Sequence, residues 1–260
     1  MHGVARVLLL IVLSGTGAVS ADELPDVLDR VRTAIVGVGT AYPPRQPIAG
    51  ERPNQLMGTG FAVGDGQLVV TNHHVLPDLL DYENRQSLVV FAGRGRDARV
   101  HVARIVARDR EHDLAILRIE TTRLPTLSLG DSGSVREGET MAFTGFPIGA
   151  VLGLYPVTHL GIVSSITPIA RTAGDSSELS AVQLQRMRNP YNVFQLDAIA
   201  YPGNSGSPVF RPDTGKVIGV VNSVFVKESR EALLERPSGI SYAIPVQYVH
   251  NLLESIGSGD

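Results

Sequence analysis

The sequence has 260 residues, a length that suits a single two-part β protein or two small domains. Charged residues make up 19% of the chain and hydrophobic residues 43%, a composition that excludes an intrinsically disordered protein. The formal net charge of -3 argues against a basic surface for nucleic acid, and the absence of cysteine excludes disulfides, thiolate zinc sites and a cysteine nucleophile.

Residues 1–21 have the pattern of a secretory signal peptide. A basic start with Arg6 is followed by the apolar run 7–13 and by small residues ending at Ala21. The apolar run is shorter than the roughly 20 residues that span a bilayer, so we expect no stable membrane anchor after the leader is removed. The sequence therefore predicts an exported protein, periplasmic or secreted, whose mature chain begins near Asp22.

The mature chain predicts an all-β fold with a helix at each end. Apolar residues recur at helical spacing from Leu24 to Ile35 and again from Val246 to Ile256. Between these segments, short apolar or β-branched runs alternate with Gly, Asp, Asn and Pro, as in a β-sandwich or a pair of barrels. The polar stretches 168–192 and 227–236 are predicted to be long surface loops.

Three short motifs carry candidate catalytic groups in the order histidine, aspartate and serine. They are Thr71-Asn72-His73-His74-Val75, Asp113-Leu114-Ala115-Ile116-Leu117 and Gly203-Asn204-Ser205-Gly206. A serine hydroxyl becomes a good nucleophile when an imidazole takes its proton and a carboxylate orients that imidazole. Glycines let backbone N–H groups approach the oxyanion, so the amides of Gly203 and Ser205 are the predicted oxyanion hole.

The order of these motifs is that of chymotrypsin, and it differs from the orders in subtilisin and in α/β-hydrolases. Further segments share a pattern with one family: Gly58-Thr59-Gly60-Phe61, Leu129-Gly130-Asp131-Ser132, Gly161-Ile162-Val163-Ser164, Asp197-Ala198 and Gly239-Ile240-Ser241-Tyr242-Ala243-Ile244-Pro245. Over nearly all of residues 22–256, the chain resembles trypsin-like serine proteases of the HtrA (Deg) type. The resemblance implies His74 as general base, Asp113 as its orienting carboxylate and Ser205 as nucleophile.

The same resemblance implies a chymotrypsin-like fold of two six-stranded antiparallel β-barrels with the site between them. We expect residues 22–125 to hold the N-terminal segment and the first barrel, and residues 126–260 to hold the second barrel and a C-terminal helix. Family members commonly continue into PDZ domains. This chain reaches only Asp260, so the expectation is a protease domain without a PDZ domain.

Two neighbouring residues compete for the catalytic roles. His73 and His74 point to opposite sides of an extended segment, so only one can face the serine, and position matching favours His74. Asp109 lies in a charged run typical of a solvated turn, whereas Asp113 directly precedes an apolar strand, where a buried carboxylate belongs. Adjacent histidines cannot easily converge on one ion, and we expect neither a metal site nor an organic cofactor.

The resemblance also predicts the wall of the primary-specificity pocket, formed by Ile199, Ala200, Asn222, Ser223 and Val224. Ile199 stands where an aspartate would select Arg or Lys, so we expect cleavage after small or medium aliphatic residues. Ser207-Pro208 is closer to the glutamyl endopeptidases, a neighbouring branch. That branch is expected to place a histidine near position 222, where this chain has asparagine.

The leading hypothesis is an exported serine endopeptidase that acts on polypeptides, including unfolded or damaged proteins in protein quality control. Two alternatives stay open. One is a glutamyl endopeptidase-like secreted protease, and the other is a non-catalytic chaperone-like module that binds extended peptides at a sheet edge. We expect no nucleic-acid partner. Residues 42–44 are a candidate segment for self-association into a homo-oligomer, because family members often form trimers through N-terminal segments.

Overall fold

The structure, a computed structural model, describes residues 23–43, 54–120, 122–147, 153–169, 190–222 and 240–257. The predicted leader 1–21 lies outside these residues, as do Ser223 and Val224 of the predicted pocket. The predicted loop 227–236 also lies outside them, together with most of the stretch 168–192.

One helix precedes the first strand and another follows the last. Helix α1 spans Leu24–Thr33, begins with a proline in its first turn and buries Val27 and Val31, which lie four residues apart on one face. Helix α2 spans Gln247–Gly257 and buries Val249 and Leu252, three residues apart. Both helices occupy the segments that the apolar spacing predicts.

Six antiparallel strands close the first barrel in the order β1-β2-β3-β6-β5-β4. The strands are β1 (Ile35–Ala41), β2 (Asn54–Val63), β3 (Leu68–Asn72), β4 (Ser87–Ala92), β5 (Arg99–Asp109) and β6 (Leu114–Ile119). Strand β1 pairs with both β2 and β4, and this double pairing closes the barrel. Buried apolar side chains, among them Val38, Val69, Val90 and Leu117, pack together among these strands.

The second barrel has the strand order β10-β11-β12-β9-β8-β7. Its strands are β7 (Thr140–Gly145), β8 (Val157–Pro168), β9 (Asn192–Asp197), β10 (Pro208–Phe210), β11 (Val217–Asn222) and β12 (Ile240–Pro245). Strand β10 pairs with β11 and β7 and closes the ring. Larger side chains fill this barrel, including Phe143, Phe194, Leu196 and Ile218.

The predicted fold class is confirmed, because the described residues form two closed six-stranded antiparallel barrels and two helices. The first barrel ends at Ile119 and the second begins at Thr140. The predicted division after residue 125 falls in the segment that connects them. No helix in the described part of the chain is both long enough and apolar enough to cross a membrane.

A further apolar cluster joins the two barrels and both helices. Its buried members include Phe61, Leu114 and Ile116 of the first barrel, Phe210, Val220 and Ile244 of the second, and Val27 and Val249 of the helices. Burial of apolar surface is the main favourable term in folding. This central cluster therefore stabilises the docking of the two barrels, which any site between them requires.

Replacement of Phe146 tests the importance of this central cluster. Phe146 follows β7, is 1% exposed and belongs to the cluster. We expect Phe146→Ala to lower the free energy of unfolding by about 3–5 kcal/mol, because the change leaves a cavity. Tyr82, which is 77% exposed, provides the control, and Tyr82→Ala should stay within about 0.5 kcal/mol of the parent. Urea unfolding measures both values, and equal losses would contradict this view of the core.

Candidate active site

His74 and Asp113 form a pair joined by two hydrogen bonds. His74 lies in a short 3-10 helix, His73–Val75, that directly follows β3. Its Nδ1 lies 2.6 Å from Asp113 Oδ2, and its backbone N–H donates to Asp113 Oδ1 at 2.9 Å. Because one residue meets both carboxylate oxygens, the orientation of the imidazole is set. The His74 side chain is 28% exposed, so its ring remains accessible from solvent.

The backbone of Asp113 adopts the left-handed conformation, with φ of 55°. Aspartate tolerates this conformation better than most residues because its short polar side chain bonds locally. The Asp113 carbonyl oxygen accepts hydrogen bonds from Asn72 Nδ2 and from the backbone N–H of His73, both at 3.1 Å. These bonds tie the turn between β5 and β6 to the end of β3, next to His74.

Hydrogen bonding keeps the Asp113 carboxyl group ionised at neutral pH. Burial would raise the pKa of Asp113, but hydrogen bonds from His74 and Asn222 outweigh burial and hold the pKa below its ordinary value. An ionised carboxylate accepts the Nδ1 proton of His74 and leaves Nε2 as the atom that can take a proton from a nucleophile. The neighbouring His73 differs, since burial lowers the pKa of its imidazole.

Asn222, predicted to line the specificity pocket, directs its amide to Asp113. Its Nδ2 donates to Asp113 Oδ2 at 2.7 Å, and the residue is fully buried. This bond links β11 of the second barrel to the histidine–aspartate pair of the first. The sequence analysis did not anticipate this role, because residues 113 and 222 are 109 positions apart. The role of Asn222 as part of the pocket wall stays a prediction.

Ser205 lies in a glycine-rich turn that precedes β10, and it is 4% exposed. Gly203 and Gly206 flank it with φ of 101° and 88°, values that L side chains rarely adopt. The Gly206 N–H donates to Val221 O at 3.0 Å, which fixes the turn against β11. The turn contains the predicted oxyanion donors, the backbone amides of Gly203 and Ser205.

Thr59 of β2 connects the first barrel to this turn. Its backbone N–H donates to Ser205 O at 2.8 Å, and its hydroxyl donates to Gly203 O at 2.7 Å. The same hydroxyl accepts from the Phe146 N–H at 3.0 Å. From the sequence, Gly58-Thr59-Gly60-Phe61 was identified only as part of a family motif. The structure shows that Thr59 fixes the carbonyl groups on both sides of Asn204.

Gly58 marks the place where the histidine helix and the serine turn approach the same strand. A Cβ atom at Gly58 would lie 2.7 Å from Val75 Cγ2 and 3.0 Å from Ser205 O. Only a residue without a side chain fits such a gap. Strand β2 thus brings the segment that carries His74 and the turn that carries Ser205 to one point.

The described part of the predicted pocket wall is held by Ser241. Ile199 and Ala200 are partly buried in the segment that follows β9. Ser241 Oγ donates to Ala198 O at 2.7 Å and accepts from the Ala200 N–H at 2.8 Å. The sequence analysis used Ser241 only as part of a family motif. Its bonds show that β12 fixes the backbone of the segment 198–200.

The remaining titratable groups do not form a metal centre in the described part of the chain. No cluster there brings together three His, Asp or Glu side chains able to hold an ion. Asp109, the competing carboxylate, lies 2.6 Å from the Nδ1 of His112 instead of contacting His74. The structure thus contains a second histidine–aspartate pair that the sequence analysis did not anticipate.

Gly206 provides a test of the serine turn. A Cβ atom there would collide with the Thr59 carbonyl oxygen and lie 2.6 Å from Thr71 Oγ1. For the serine endopeptidase predicted from the sequence, we expect Gly206→Ala to abolish hydrolysis of an unfolded protein and to cost about 1–3 kcal/mol in overpacking beyond the backbone strain. Gly138 is the matched control, because its φ of 85° is similar but nothing lies within 4 Å of its Cβ position. Gly138→Ala should retain activity, and thermal unfolding should show that it loses less stability than Gly206→Ala.

Asn222→Ala separates the orienting role of this residue from its predicted pocket role. Loss of a hydrogen bond to a charged group costs about 1.5–3 kcal/mol, which corresponds to a roughly 10- to 100-fold lower kcat. We expect KM and cut-site preference to stay unchanged. Ala200→Val at the predicted wall should have the opposite effect, a changed preference. A changed preference with unchanged kcat in Asn222→Ala would contradict the orienting role.

Comparisons with known proteins identify the family. Residues 58–220 match the model of the trypsin-like peptidase domain. A probable periplasmic serine endoprotease, DegP-like, from Halomonas elongata is 28% identical over 241 residues, which are 92% of this chain and 43% of that protein. The mitochondrial serine protease HTRA2 of Drosophila grimshawi is 35% identical over 198 residues, which are 76% of this chain and 38% of that protein.

Solved structures agree on the fold. The HtrA-type protease AlgW with decapeptide has a TM-score of 0.64 and 23% identity, and the match covers 92% of this chain and 68% of that one. The chain spans less than half the length of the two curated relatives, the DegP-like endoprotease and HTRA2. The chain belongs to the trypsin-like peptidase family, and its resemblance to proteases of the HtrA type is confirmed.

Proposed function

We propose that this chain is an exported serine endopeptidase that hydrolyses polypeptides through Ser205, His74 and Asp113. The observation that carries the proposal is the two-point bond between His74 and a buried Asp113 carboxylate. Membership of the trypsin-like peptidase family supports it, and so does the glycine-flanked turn around Ser205. The hydroxyl, imidazole and carboxylate are the three groups that acyl transfer at a serine requires.

In the proposed reaction, Ser205 Oγ attacks the substrate carbonyl carbon while His74 Nε2 takes the hydroxyl proton. Asp113 holds the imidazole and stabilises the imidazolium that forms. The Gly203 and Ser205 amides donate to the oxyanion. Collapse of the tetrahedral intermediate breaks the C–N bond, and the imidazolium protonates the leaving amine. Water then attacks the acyl-enzyme with His74 as base, which releases the acid product and restores Ser205.

Cleavage after small or aliphatic residues is part of the proposal. The described pocket residues Ile199 and Ala200 are uncharged and apolar, and the Asn222 amide is engaged by Asp113. A substrate glutamate would require a cationic partner, which none of these three residues supplies. Ser207, one of the two residues that suggested the glutamyl branch, is fully buried.

Export and a role in protein quality control complete the proposal. The leader pattern of residues 1–21 supports export, and relatives named as periplasmic serine endoproteases support the periplasm over full secretion. Unfolded proteins are the proposed substrates, and self-association through residues 42–44 is the proposed assembly. No metal or organic cofactor takes part in the proposed reaction.

The first test is hydrolysis of β-casein together with labelling by a fluorophosphonate probe. We expect the parent to cleave and to be labelled, and Ser205→Ala to lose about 10⁴- to 10⁶-fold in kcat and all labelling. Ser255→Ala is the control, because Ser255 is an exposed serine in α2 and should keep both activities. Neither cleavage nor labelling of the folded parent would contradict the endopeptidase and favour the chaperone-like module.

The second test is the cut-site preference of the active protein on a peptide library. We expect most cleavage after Ala, Val, Ile and similar residues, because the described pocket residues are small or apolar. One extra or missing methylene group changes the rate by about 10- to 200-fold in such a pocket. Preferred cleavage after Glu would favour the glutamyl endopeptidase alternative. Preferred cleavage after Lys or Arg would contradict the assignment of Ile199.

A further inference from the structure

A second histidine–aspartate pair repeats the geometry of the first. The His112 backbone N–H donates to Asp109 Oδ1 at 3.0 Å, and His112 Nδ1 lies 2.6 Å from Asp109 Oδ2. The corresponding distances between His74 and Asp113 are 2.9 and 2.6 Å. Asp109, His112 and Asp113 lie at the turn between β5 and β6, and His74 contacts this turn through Asp113.

The His112 ring contacts two tyrosines that belong to the other half of the molecule. It stacks on Tyr248 of α2 with ring centres 3.7 Å apart and an angle of 17° between planes. Its edge meets Tyr191, which precedes β9, at 4.5 Å and 61°. The tyrosines contact each other at 5.4 Å, and the Tyr191 hydroxyl lies 3.4 Å from Glu111 O. We call Asp109, His112, Tyr191 and Tyr248 the aromatic clasp.

Electrostatics support a fixed clasp. Burial would raise the pKa of Asp109, but hydrogen bonds from His112 outweigh burial and keep that pKa below its ordinary value. The ionised carboxylate therefore remains a hydrogen-bond acceptor for the His112 ring at neutral pH. Burial also raises the pKa of Tyr248, so its phenol stays neutral against the stacked imidazole. Aromatic pairs favour offset-stacked and edge-to-face arrangements and contribute stability beyond their burial, so these contacts hold the turn against the tyrosines.

The clasp lies directly before the carboxylate of the proposed triad. His112 directly precedes Asp113 in the chain. The left-handed backbone of Asp113 makes the geometry of this turn specific. The turn is tied to β3 through Asp113 O, and the clasp ties the preceding residue, His112, to Tyr248 of α2 and to Tyr191. We propose that His112 and Tyr248 are positioning residues that hold Asp113 at the correct distance from His74.

This inference rests on the proposed function, because it assigns a task within the proposed triad. Misplacement of a reacting group by about 1 Å can cost about 100-fold in rate. We expect Tyr248→Ala to lower kcat by roughly 10- to 100-fold with little change in KM, because the proposed change is in the position of Asp113 and not in substrate binding. Tyr248→Phe keeps the stacked ring and should restore the parent kcat.

A matched control separates positioning from general loss of stability. Leu253 lies in the same helix, α2, and packs on the central apolar cluster without belonging to the clasp. Leu253→Ala should therefore lower the melting temperature, as Tyr248→Ala should, but keep the parent kcat. Kinetics are measured with a fluorogenic peptide well below every melting temperature. An equal fall of kcat in Leu253→Ala, or none in Tyr248→Ala, would overturn the proposal.

A readout without hydrolysis distinguishes failure of this inference from failure of the proposed function. In a Ser205→Ala background, proton NMR detects the low-field signal of the His74 Nδ1 proton in its bond to Asp113. We expect Tyr248→Ala to move or broaden this signal, and Tyr248→Phe and Leu253→Ala to leave it unchanged. If the parent fails to cleave casein, the proposed function is wrong. The NMR signal alone then tests whether the clasp positions Asp113. An unchanged signal in folded Tyr248→Ala would overturn the positioning role.

Discussion

The hydrogen bonds of Thr59 are the interaction on which the arrangement of this site depends. One residue of the first barrel holds the carbonyl groups of Gly203 and Ser205, which belong to the second. Its own carbonyl accepts from Thr71 Oγ1 at 2.7 Å inside the first barrel. Because Thr59 and Thr71 are fully buried, leaving their polar groups unpaired would carry the full cost of desolvation. The geometry of the serine turn is thus coupled to the docking of the barrels.

The two barrels supply different parts of the site. The first carries His74 and Asp113, and the second carries Ser205 and the Asn222 amide that bonds Asp113. Polar contacts between the halves surround the central apolar cluster, which contains residues from both. The chain has no cysteine, so no disulfide fixes this arrangement. Packing and a small number of directed hydrogen bonds therefore hold the parts of the site together.

Local patterns were sufficient to predict the elements and the order of the motifs. Short β-branched runs with turn residues between them indicated strands. The strand-to-turn contexts of His74 and Asp113 favoured these two residues over His73 and Asp109 as members of the site. The contact between His74 and Asp113 agrees with that choice. Such patterns are local because side-chain direction along a strand or helix repeats with a short period.

The interactions missed by sequence analysis join residues that are distant along the chain. Thr59 and Gly203 are 144 positions apart, and Ser132 meets Gln247 across 115 positions. No local periodicity encodes such a pairing, because it depends on the tertiary fold. His112 showed the same limitation, since its isolated position in a charged turn gave no sign of the two tyrosines that contact its ring. The pocket role predicted for Asn222 stays a prediction, and the hydrogen bond from its amide to Asp113 was not anticipated.

The left-handed backbone of Asp113 also restricts the evolutionary routes open to this protein. Glycine, asparagine and aspartate adopt this conformation most readily. Asparagine keeps the shape of the side chain and loses its charge, and a single-nucleotide change converts an aspartate codon into an asparagine codon. One mutation therefore leads to a chain that keeps both barrels while its histidine lacks an orienting carboxylate. At this position, a single step separates the enzyme we propose from a chain of the same shape with strongly reduced hydrolysis.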